Sequence, residues 1–386
     1  MDKIILRPLT SKNDFPSKDD LIYLNAANVA LMYDGARQAI IDWTQDLAEN
    51  GSNNFDEIAE ANVFETLRYF TAQLFNSDPE DISIGSSTTE LLGSLAWAIA
   101  PGADKNVVST NIVFPSTVYP WQRVARSTGC SIRLVKERNN LVREDDIIGS
   151  IDKNTSVVCI SHVEYGNGQC FDLETLCSAA HEMGALLIVD ATQSAGAIPI
   201  NVGNCPIDAV ISGGYKWLCG PFGAAVMYLA PHLQNKLEPV LVGFRSNKDI
   251  WDLNAERIDY PDSAKRFEFS TMAYGNALGL ARSIEFLAQM GIDNIFEYNL
   301  LLADILVDGL RKRSANITSP LSGKYRSPIV TATFDGIDPS SLIQDLKEAG
   351  VYLSKRGDAL RFSPHLYNDP DHIQRTLDHI DRICLK

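Results

Sequence analysis

Three apolar runs separated by turn residues constrain this chain more than any other feature of its sequence. The run at residues 185–189 ends in Asp190, and the run at 209–212 leads through two glycines to Lys216, 26 residues after Asp190. A third run follows Gly220 and Pro221. Short apolar runs bounded by turn residues are typical of buried strands in parallel sheets. The sequence therefore predicts a carboxylate and an amine, each near the carboxyl end of a buried strand.

Lys216 has neighbours that favour its partial burial. They are two glycines, a tyrosine, a tryptophan and a leucine. An ammonium is unfavourable in such surroundings, so the pKa of the lysine is expected to fall, and a desolvated amine is a usable nucleophile. Taken alone, a lysine is more often a solvated surface charge, and an aspartate at a strand end often caps the next helix.

Together, Asp190 and Lys216 meet the needs of one cofactor, pyridoxal 5′-phosphate. The carboxylate would pair with the pyridine nitrogen, whose pKa a nearby negative charge raises. The amine would form a Schiff base with the aldehyde of the cofactor. A protonated ring withdraws electrons and stabilises negative charge at the α-carbon of an amino acid. We therefore predict that Lys216 and Asp190 are the catalytic residues.

A hydroxyl-rich turn at residues 85–89 is a candidate phosphate site. It lies between a short strand and a helical run and contains Ser87, Thr88 and Thr89. Free backbone N–H groups at a helix start, together with hydroxyls, bind anions. An ordinary N-cap gives the same pattern, and no P-loop signature is present.

Two further residues are candidates for contacts with the cofactor ring. Gln193 follows Asp190 by three residues and could hydrogen-bond the phenolic oxygen, although a solvated loop amide is the alternative. Phe114 follows an apolar pair and could stack on the ring, although plain core packing explains it equally well.

Composition bounds the class of protein. The chain has 386 residues, of which 45% are hydrophobic, which is enough for a large core and more than one domain. A net charge of −15 argues against nucleic-acid binding. No apolar run reaches the length of a membrane span, and the first twenty residues do not resemble a secretory signal. We expect a cytoplasmic enzyme.

The cysteines and histidines do not form a metal-binding pattern. None of the seven cysteines belongs to a CxxC pair, and the six histidines show no HExxH motif. We expect buried reduced thiols rather than disulfides, and no metal.

Strand-like runs alternate with helical runs over most of the chain. This alternation predicts an α/β fold with a mainly parallel central sheet flanked by helices. Helical periodicity covers residues 34–48 and 55–74, and residues 242–265 read as a polar connection or active-site loop. We predict an N-terminal arm at 1–20, a large cofactor-binding domain at 21–265 and a smaller C-terminal α+β domain at 266–386.

The chain resembles the class V aminotransferases, a family of fold-type I pyridoxal-phosphate enzymes that includes cysteine desulfurases, kynureninase and isopenicillin N epimerase-like proteins. The resemblance runs from about Tyr23 to the C-terminus, and its most specific parts are the Asp190–Gln193 pair and YKWLCGPFG. The matching segments are YLNAAN (23–28), GSSTTE (85–90), FPSTVYPWQ (114–122), SHVEYGNG (161–168), DATQSAG (190–196), SGGYKWLCGPFG (212–223), FEFST (267–271) and LRFSPHLYN (360–368).

The resemblance implies roles for residues at matching positions. Lys216 is the Schiff-base lysine, Asp190 the pyridinium partner, and Gln193 the partner of the phenolic oxygen. Phe114 falls where the family places a ring-stacking side chain. Thr88 and Thr89 fall on the phosphate loop beside Ser87. Gly213 falls where relatives often carry a phosphate-binding serine, so Ser212 or Tyr215 is the alternative there.

Other matching positions concern the substrate and a second subunit. Arg361 falls where relatives bind the substrate carboxylate, a task that suits the guanidinium fork. Asn28 is a further candidate for substrate binding. Thr271 matches a residue that reaches the phosphate from the partner subunit. The family is dimeric with sites at the interface, so the resemblance implies a homodimer.

The chain departs from the cysteine desulfurase pattern in one loop. Those enzymes carry a persulfide-forming cysteine before the position of Arg361, whereas residues 353–358 are short and contain none. Cys384 is too near the terminus to replace it. We therefore do not expect a persulfide-relay desulfurase. Either Tyr165 or Glu164 stands where a relative uses asparagine at the phenolic oxygen.

The predicted function is a pyridoxal-phosphate enzyme that acts on an amino acid, and an aminotransferase is favoured. A C–S or other β-elimination lyase and an amino-acid epimerase are the alternatives within the family. Two hypotheses from other functional classes stay open. One is a nucleotide-binding α/β protein that grips a phosphate with residues 85–89, and the other is an inert module of the same fold.

Overall fold

The computed structural model describes residues 8–18 and 20–384. Its central feature is a seven-stranded sheet in the order β2-β8-β7-β6-β5-β3-β4. β8 is antiparallel to both of its neighbours, and the other strand pairs are parallel. The strands are β2 (Ile82–Gly85), β3 (Asn106–Thr110), β4 (Ser131–Val135), β5 (Thr155–Ser161), β6 (Leu186–Asp190), β7 (Ala209–Gly213) and β8 (Ala225–Leu229). The predicted α/β fold with a mainly parallel sheet is confirmed.

Both faces of this sheet are buried except at the edge strand β4, which explains why most of its strands are continuous apolar runs in the sequence. In β6, Leu187 and Val189 pack into one core and Ile188 into the core on the opposite face. Helices cover both faces. They are α1 (Asp34–Asn50), α2 (Glu57–Ala61), α3 (Glu65–Phe75), α4 (Thr88–Ile99), α5 (Pro115–Thr128), α6 (Glu144–Ile148), α7 (Leu173–Glu182), α8 (Pro231–Gln234) and α9 (Tyr274–Met290).

The single helix predicted over residues 55–74 is wrong, because the structure divides it into α2 and α3. Asn62 ends α2, and its side-chain amide donates to the Ile58 carbonyl. Val63 and Phe64 then turn inward and are buried. Burial of Phe64 in the core therefore outweighs the continuous helical pattern of the sequence.

A second, smaller sheet lies in the C-terminal part and has the antiparallel order β12-β13-β10-β9. A two-stranded parallel pair, β1 with β11, lies beside it. The elements are β1 (Ile22–Tyr23), α10 (Ile292–Arg311), β9 (Asn316–Ile317), β10 (Val330–Thr333), α11 (Pro339–Glu348), β11 (Val351–Tyr352), β12 (Ser354–Arg356), β13 (Ala359–Phe362) and α12 (Pro370–Cys384).

Packing crosses the predicted domain boundary at residue 265 in both directions. Ile22 and Leu24 belong to the core of the smaller sheet, because β1 pairs with β11. Leu280 and Ile284 of α9 belong to the core of the large sheet instead. The division into three parts stays a prediction.

The ends of several strands create the site for function. β2, β3, β5, β6 and β7 run in the same direction, so their carboxyl ends meet at one edge, where open α/β sheets bind ligands. α4 begins directly after β2, and α5 begins after β3. No helix in the described ranges is long and apolar enough to cross a membrane. The cytoplasmic location stays a prediction.

Candidate active site

A cavity lies at this carboxyl edge and brings most of the predicted site residues together. Ser161 and Val163, at the end of β5, complete its wall with Ser116, Tyr165 and Thr192. The predicted residues that line it are Ser87, Thr88, Thr89, Phe114, Asp190, Gln193, Tyr215 and Lys216. Residues from distant parts of the sequence thus share one small space.

Lys216 is the central amine of this cavity and is only 8% exposed. Its Nζ atom lies 5.5 Å from the centre of the Phe114 ring. Burial lowers the pKa of Lys216 to about 8, while the charge of Asp190 opposes the shift and those of Arg361 and Arg356 add to it. The environment therefore raises the fraction of neutral amine, the form that attacks an aldehyde, above that of an ordinary lysine.

This pKa gives a testable pH dependence. Lys216 is protonated below its pKa and neutral above it, so we expect the rate of cofactor attachment to the cofactor-free protein to rise with pH and level off above about 8. Visible absorbance follows the attachment. Asp190→Asn should move the midpoint to lower pH, because Asp190 raises the pKa of Lys216. A rate that still climbs near the ordinary lysine pKa of 10.5 would contradict the assignment.

Asp190 supplies a fixed carboxylate at the end of β6. It is 5% exposed. Thr117 Oγ1 donates to its Oδ2 atom at 2.8 Å, and the backbone N–H of Thr192 donates to its Oδ1 atom at 3.0 Å. These bonds hold the orientation of the carboxylate, so its charge stays at one place in the cavity.

The N-terminus of α4 and four nearby hydroxyls form another part of the cavity wall. Ser87 is the N-cap residue of α4. Thr88 Oγ1 lies 2.9 Å from Thr192 Oγ1, and Thr89 Oγ1 lies 2.7 Å from Ser116 Oγ. Backbone N–H groups at a helix start with nearby hydroxyls are suited to a phosphate. The geometry agrees with the predicted phosphate site, whose residue roles stay predictions.

Gly213 lies close to this part of the wall and leaves little room for a side chain. A Cβ atom at this position would lie 3.1 Å from Thr88 Oγ1. Of the two proposed substitutes for a serine, Ser212 is buried and its hydroxyl donates to the adjacent Gly213 carbonyl at 3.3 Å. Tyr215 lines the cavity, and its ring stacks on that of Phe222 at 4.5 Å. Tyr215 is thus the better placed of the two.

Gln193 and Phe114 both line the cavity, and their roles toward the cofactor ring stay predictions. Gln193 Nε2 donates to the Ala27 carbonyl at 2.8 Å, and its Oε1 atom accepts from Trp217 Nε1 at 2.8 Å. One Nε2 hydrogen is left for a ligand. Phe114 is the N-cap residue of α5 and is 42% exposed, with its ring edge-on to that of Tyr165.

Arg361 is fully buried on β13 and touches the wall of the cavity through Tyr165. Its Nη1 atom donates to the Tyr165 carbonyl at 2.6 Å. Nε and Nη2 have no hydrogen-bond partner among the residues that the structure describes. Burial, and then the charge of Arg356, lower the pKa of Arg361 to about 9. A buried guanidinium with two free donors is a site for an anion.

The structure does not bring Asn28 and Thr271 into the cavity. Asn28 is exposed in a turn that begins at Asn25. Thr271 is also exposed, and its predicted role needs a second subunit. Both assignments stay predictions. Within residues 8–18 and 20–384, no group of histidine, cysteine, aspartate and glutamate side chains could hold a metal ion.

Sequence reasoning missed two residues that shape the site and left a third unresolved. Thr117 and Thr192 hold Asp190, and only their spacing from Phe114 and Asp190 could have signalled them. Glu164 is fully buried and faces Thr110 Oγ1, which donates to it at 3.0 Å. Burial raises the pKa of Glu164 to about 8. Tyr165 is among the residues that line the cavity, and Glu164 is not.

A family model decides the relationship of this chain to known proteins. The model described as Aminotransferase class-V matches residues 22–374. The chain belongs to the class V aminotransferase family. An uncharacterised aminotransferase, YcbU, of Bacillus subtilis (strain 168) is 24% identical over 95% of both chains. A probable cysteine desulfurase of Methanothermobacter thermautotrophicus is 24% identical over 99% of both chains.

Solved structures show the same fold. The apo cysteine desulfurase of Thermococcus onnurineus NA1 superposes with a TM-score of 0.86 at 22% identity, over 96% of each chain. A variant of C-DES with glycine covalently linked to its pyridoxal-phosphate cofactor superposes with a TM-score of 0.87 at 22% identity, over 96% of this chain and 99% of that one. The predicted fold type I is confirmed.

Membership in this class V family also confirms pyridoxal 5′-phosphate as the cofactor. The cavity contains the donor set that the cofactor needs. Lys216 offers an amine for the aldehyde and Asp190 a carboxylate for the ring nitrogen. The start of α4 offers N–H groups and hydroxyls for the phosphate. The residues present fit the group.

Proposed function

We propose that this class V enzyme acts on the amino group of an amino acid, with Lys216 as the residue that binds the cofactor and then moves a proton at the substrate α-carbon. The observation that carries the proposal is the buried Lys216 amine, with its pKa lowered to about 8, in one cavity with Asp190. A group with a pKa near neutrality is an efficient general base.

The cofactor supplies an electron-withdrawing ring that weakens the bonds to the substrate α-carbon. The residues of the chain act around it. Asp190 holds its negative charge where the ring nitrogen would lie. Phe114 presents an exposed ring face to the same space. Lys216 is buried in the same cavity, where its amine would hold the cofactor and would then serve as the base for the α-proton.

Arg361 is the proposed binding site for the substrate α-carboxylate. Its free Nε and Nη2 donors match the two oxygens of a carboxylate. Because Arg361 is buried, water would be excluded from the contact between its guanidinium and the carboxylate, and their attraction would be stronger. A carboxylate fixed in this way sets the position of the α-carbon relative to Lys216, which is how orientation contributes to rate.

Transamination is the favoured reaction, and C–S bond cleavage by β-elimination is the second candidate. Curated relatives at similar identity include both an aminotransferase and probable cysteine desulfurases. The hairpin of β12 and β13 turns within residues 357–358 and has no cysteine. Of the cysteines whose side chains the structure describes, none lines the cavity. A lyase of this kind would release its sulfur product without a persulfide relay.

Product analysis separates these reactions. The holoenzyme is incubated with single amino acids and a 2-oxo acid acceptor, and the products are identified by mass spectrometry and chiral chromatography. An aminotransferase converts donor and acceptor into a new 2-oxo acid and a new amino acid. A C–S lyase gives pyruvate and a sulfur product from cysteine or cystine without an acceptor, and an epimerase gives the mirror-image amino acid. No turnover of any amino acid would contradict the proposed function.

We also propose that the enzyme is a homodimer with its sites at the interface. Several large apolar side chains are exposed, and one of them, Phe222, stacks on the cavity residue Tyr215. Exposed apolar surface of this kind is typical of association surfaces. The exposed side chains include Tyr119, Phe222, Leu253 and Ile258. The exposed Thr271 would then reach the phosphate of the partner subunit. Light scattering of the holoenzyme should give twice the chain mass, and a monomer at working concentration would refute the interface role of Thr271.

A further inference from the structure

Two arginines of the β12–β13 hairpin point to the same side of the smaller sheet. Arg361 of β13 is directly opposite Ser354 of β12, and Arg356 lies two residues beyond Ser354. Side chains of alternate residues in a strand share a face, and directly opposed residues share it too. Arg356 and Arg361 are therefore diagonal neighbours, close enough for long side chains to meet.

Arg356 approaches the cavity through the same residue as Arg361. Its guanidinium carbon lies 5.8 Å from the centre of the Tyr165 ring, and Tyr165 lines the cavity. Its Nη1 atom donates to the Lys355 carbonyl at 2.7 Å, whereas Nε is buried with no partner among the described residues. One side of this guanidinium is thus held by the hairpin, and the other side is free.

Neither arginine has a carboxylate partner in the described part of the chain. Ion pairs occur at many other arginines, including Arg68, Arg133, Arg313 and Arg326. The chain carries 49 acidic against 34 basic residues, so acidic partners are abundant. Two neighbouring guanidinium groups without a counter-charge repel each other, and burial makes that repulsion stronger. An anion that arrives with a ligand would relieve it.

The charges of both arginines reach the amine of the cavity. Each lowers the pKa of Lys216, and Arg356 also lowers the pKa of Arg361. The two positive charges and Lys216 therefore lie within one electrostatic environment. This shared environment agrees with the positions of Arg356 and Arg361, which are neighbours on the hairpin and both contact Tyr165.

We propose that Arg356 binds a second carboxylate of the substrate, carried by its side chain, so that the substrate class is a dicarboxylic α-amino acid. The inference rests on the proposed function, in which Arg361 takes the α-carboxylate. The free Nε edge of Arg356 offers the planar donor geometry that carboxylates prefer. Tyr165 lines the cavity and contacts both arginines, and its ring would pack against the carbon chain of the substrate.

Binding of unreactive acids to the holoenzyme tests this without turnover. Calorimetry compares succinate with butyrate and glutarate with pentanoate, pairs that differ by one carboxylate at equal chain length. One charge-assisted contact predicts about 10- to 100-fold tighter binding of the dicarboxylate. Arg356→Gln should remove that difference, whereas Arg361→Gln should weaken binding of all four acids.

Lys355→Gln is the matched control, because it removes an equal charge from the adjacent residue on the other face of the strand. Lys355 is exposed, and its Nζ atom donates to Ser340 Oγ at 2.7 Å. This variant should keep the preference for dicarboxylates. Equal affinity for paired acids in the wild-type holoenzyme, or an unchanged preference in Arg356→Gln, would overturn the proposal and leave Arg356 as a surface cation stacked on Tyr165.

Turnover separates a failure of this inference from a failure of the proposed function. Glutamate and aspartate should exceed glutamine and asparagine in kcat/KM, and Arg356→Gln should reduce kcat/KM for the acids only. Turnover of amino acids with no preference for acids would contradict the role of Arg356 alone. Discrimination between the paired acids without any turnover would contradict the proposed function and leave the second carboxylate site intact.

Discussion

Replacing Lys216 with alanine is expected to lower kcat by at least about 10⁴-fold, the upper range for loss of a general acid–base group. Two tasks are lost together, because the same amine attaches the cofactor and moves the α-proton. Lys216 is buried in the cavity, and no other lysine is among the described residues that line it. Single-turnover kinetics with the cofactor-saturated variant measure the loss directly.

Lys216→Arg is the companion variant that keeps the positive charge. A guanidinium stays protonated at all working pH values, so it can neither attack an aldehyde nor accept the α-proton. The same loss is therefore expected, while circular dichroism should show an unchanged fold for both variants. If either variant retained more than about a tenth of wild-type kcat, Lys216 could not be the base that the geometry indicates.

Replacing Asp190 with asparagine should lower kcat by about 10²- to 10³-fold, the usual cost of removing one preorganised electrostatic contact. Asparagine can keep the geometry, because its oxygen can still accept from the Thr192 N–H and its amide can donate to Thr117. Only the negative charge that would keep the ring nitrogen protonated is removed. Stopped-flow spectroscopy with the preferred amino acid measures the rate of α-proton removal.

Asp208→Asn is the matched control for this charge. Asp208 is fully buried and precedes β7 at the opposite edge of the sheet, where His181 contacts its Oδ2 atom at 2.9 Å. Its replacement removes a buried carboxylate far from the cavity, so kcat per folded molecule should be unchanged. Equal losses in Asp190→Asn and Asp208→Asn would show that the effect is structural and not chemical.

Most of the sheet was predictable because every strand except the edge strand β4 is buried on both faces. Runs such as the one that ends in Asp190 have no polar alternation to obscure them, and the structure places β6 at Leu186–Asp190. Pairing over long sequence separations leaves no local pattern. The contact of Ile22 with Val351 joins opposite ends of the chain, and only the folded structure shows that β1 lies in the core of the smaller sheet.

The candidate site, too, could be predicted only in part from the sequence. Asp190 and Lys216 could be predicted because each follows an apolar run that the sequence shows locally. The hydrogen bond that holds Asp190 could not be predicted, because Thr117 is 73 residues away in the sequence. The approach of Arg361 to Tyr165 spans 196 residues. The family resemblance supplied the position of Arg361, and the structure adds that two of its donors are free.

Lys216 is expected to hold the cofactor by a covalent bond. Borohydride reduction of freshly purified, cofactor-supplied protein followed by peptide mass mapping tests it most directly. The geometry predicts one pyridoxyl group per chain, on the peptide that contains Lys216. An unmodified Lys216 in that digest, or a modification found at another lysine, would contradict the claim and the mechanism built on it.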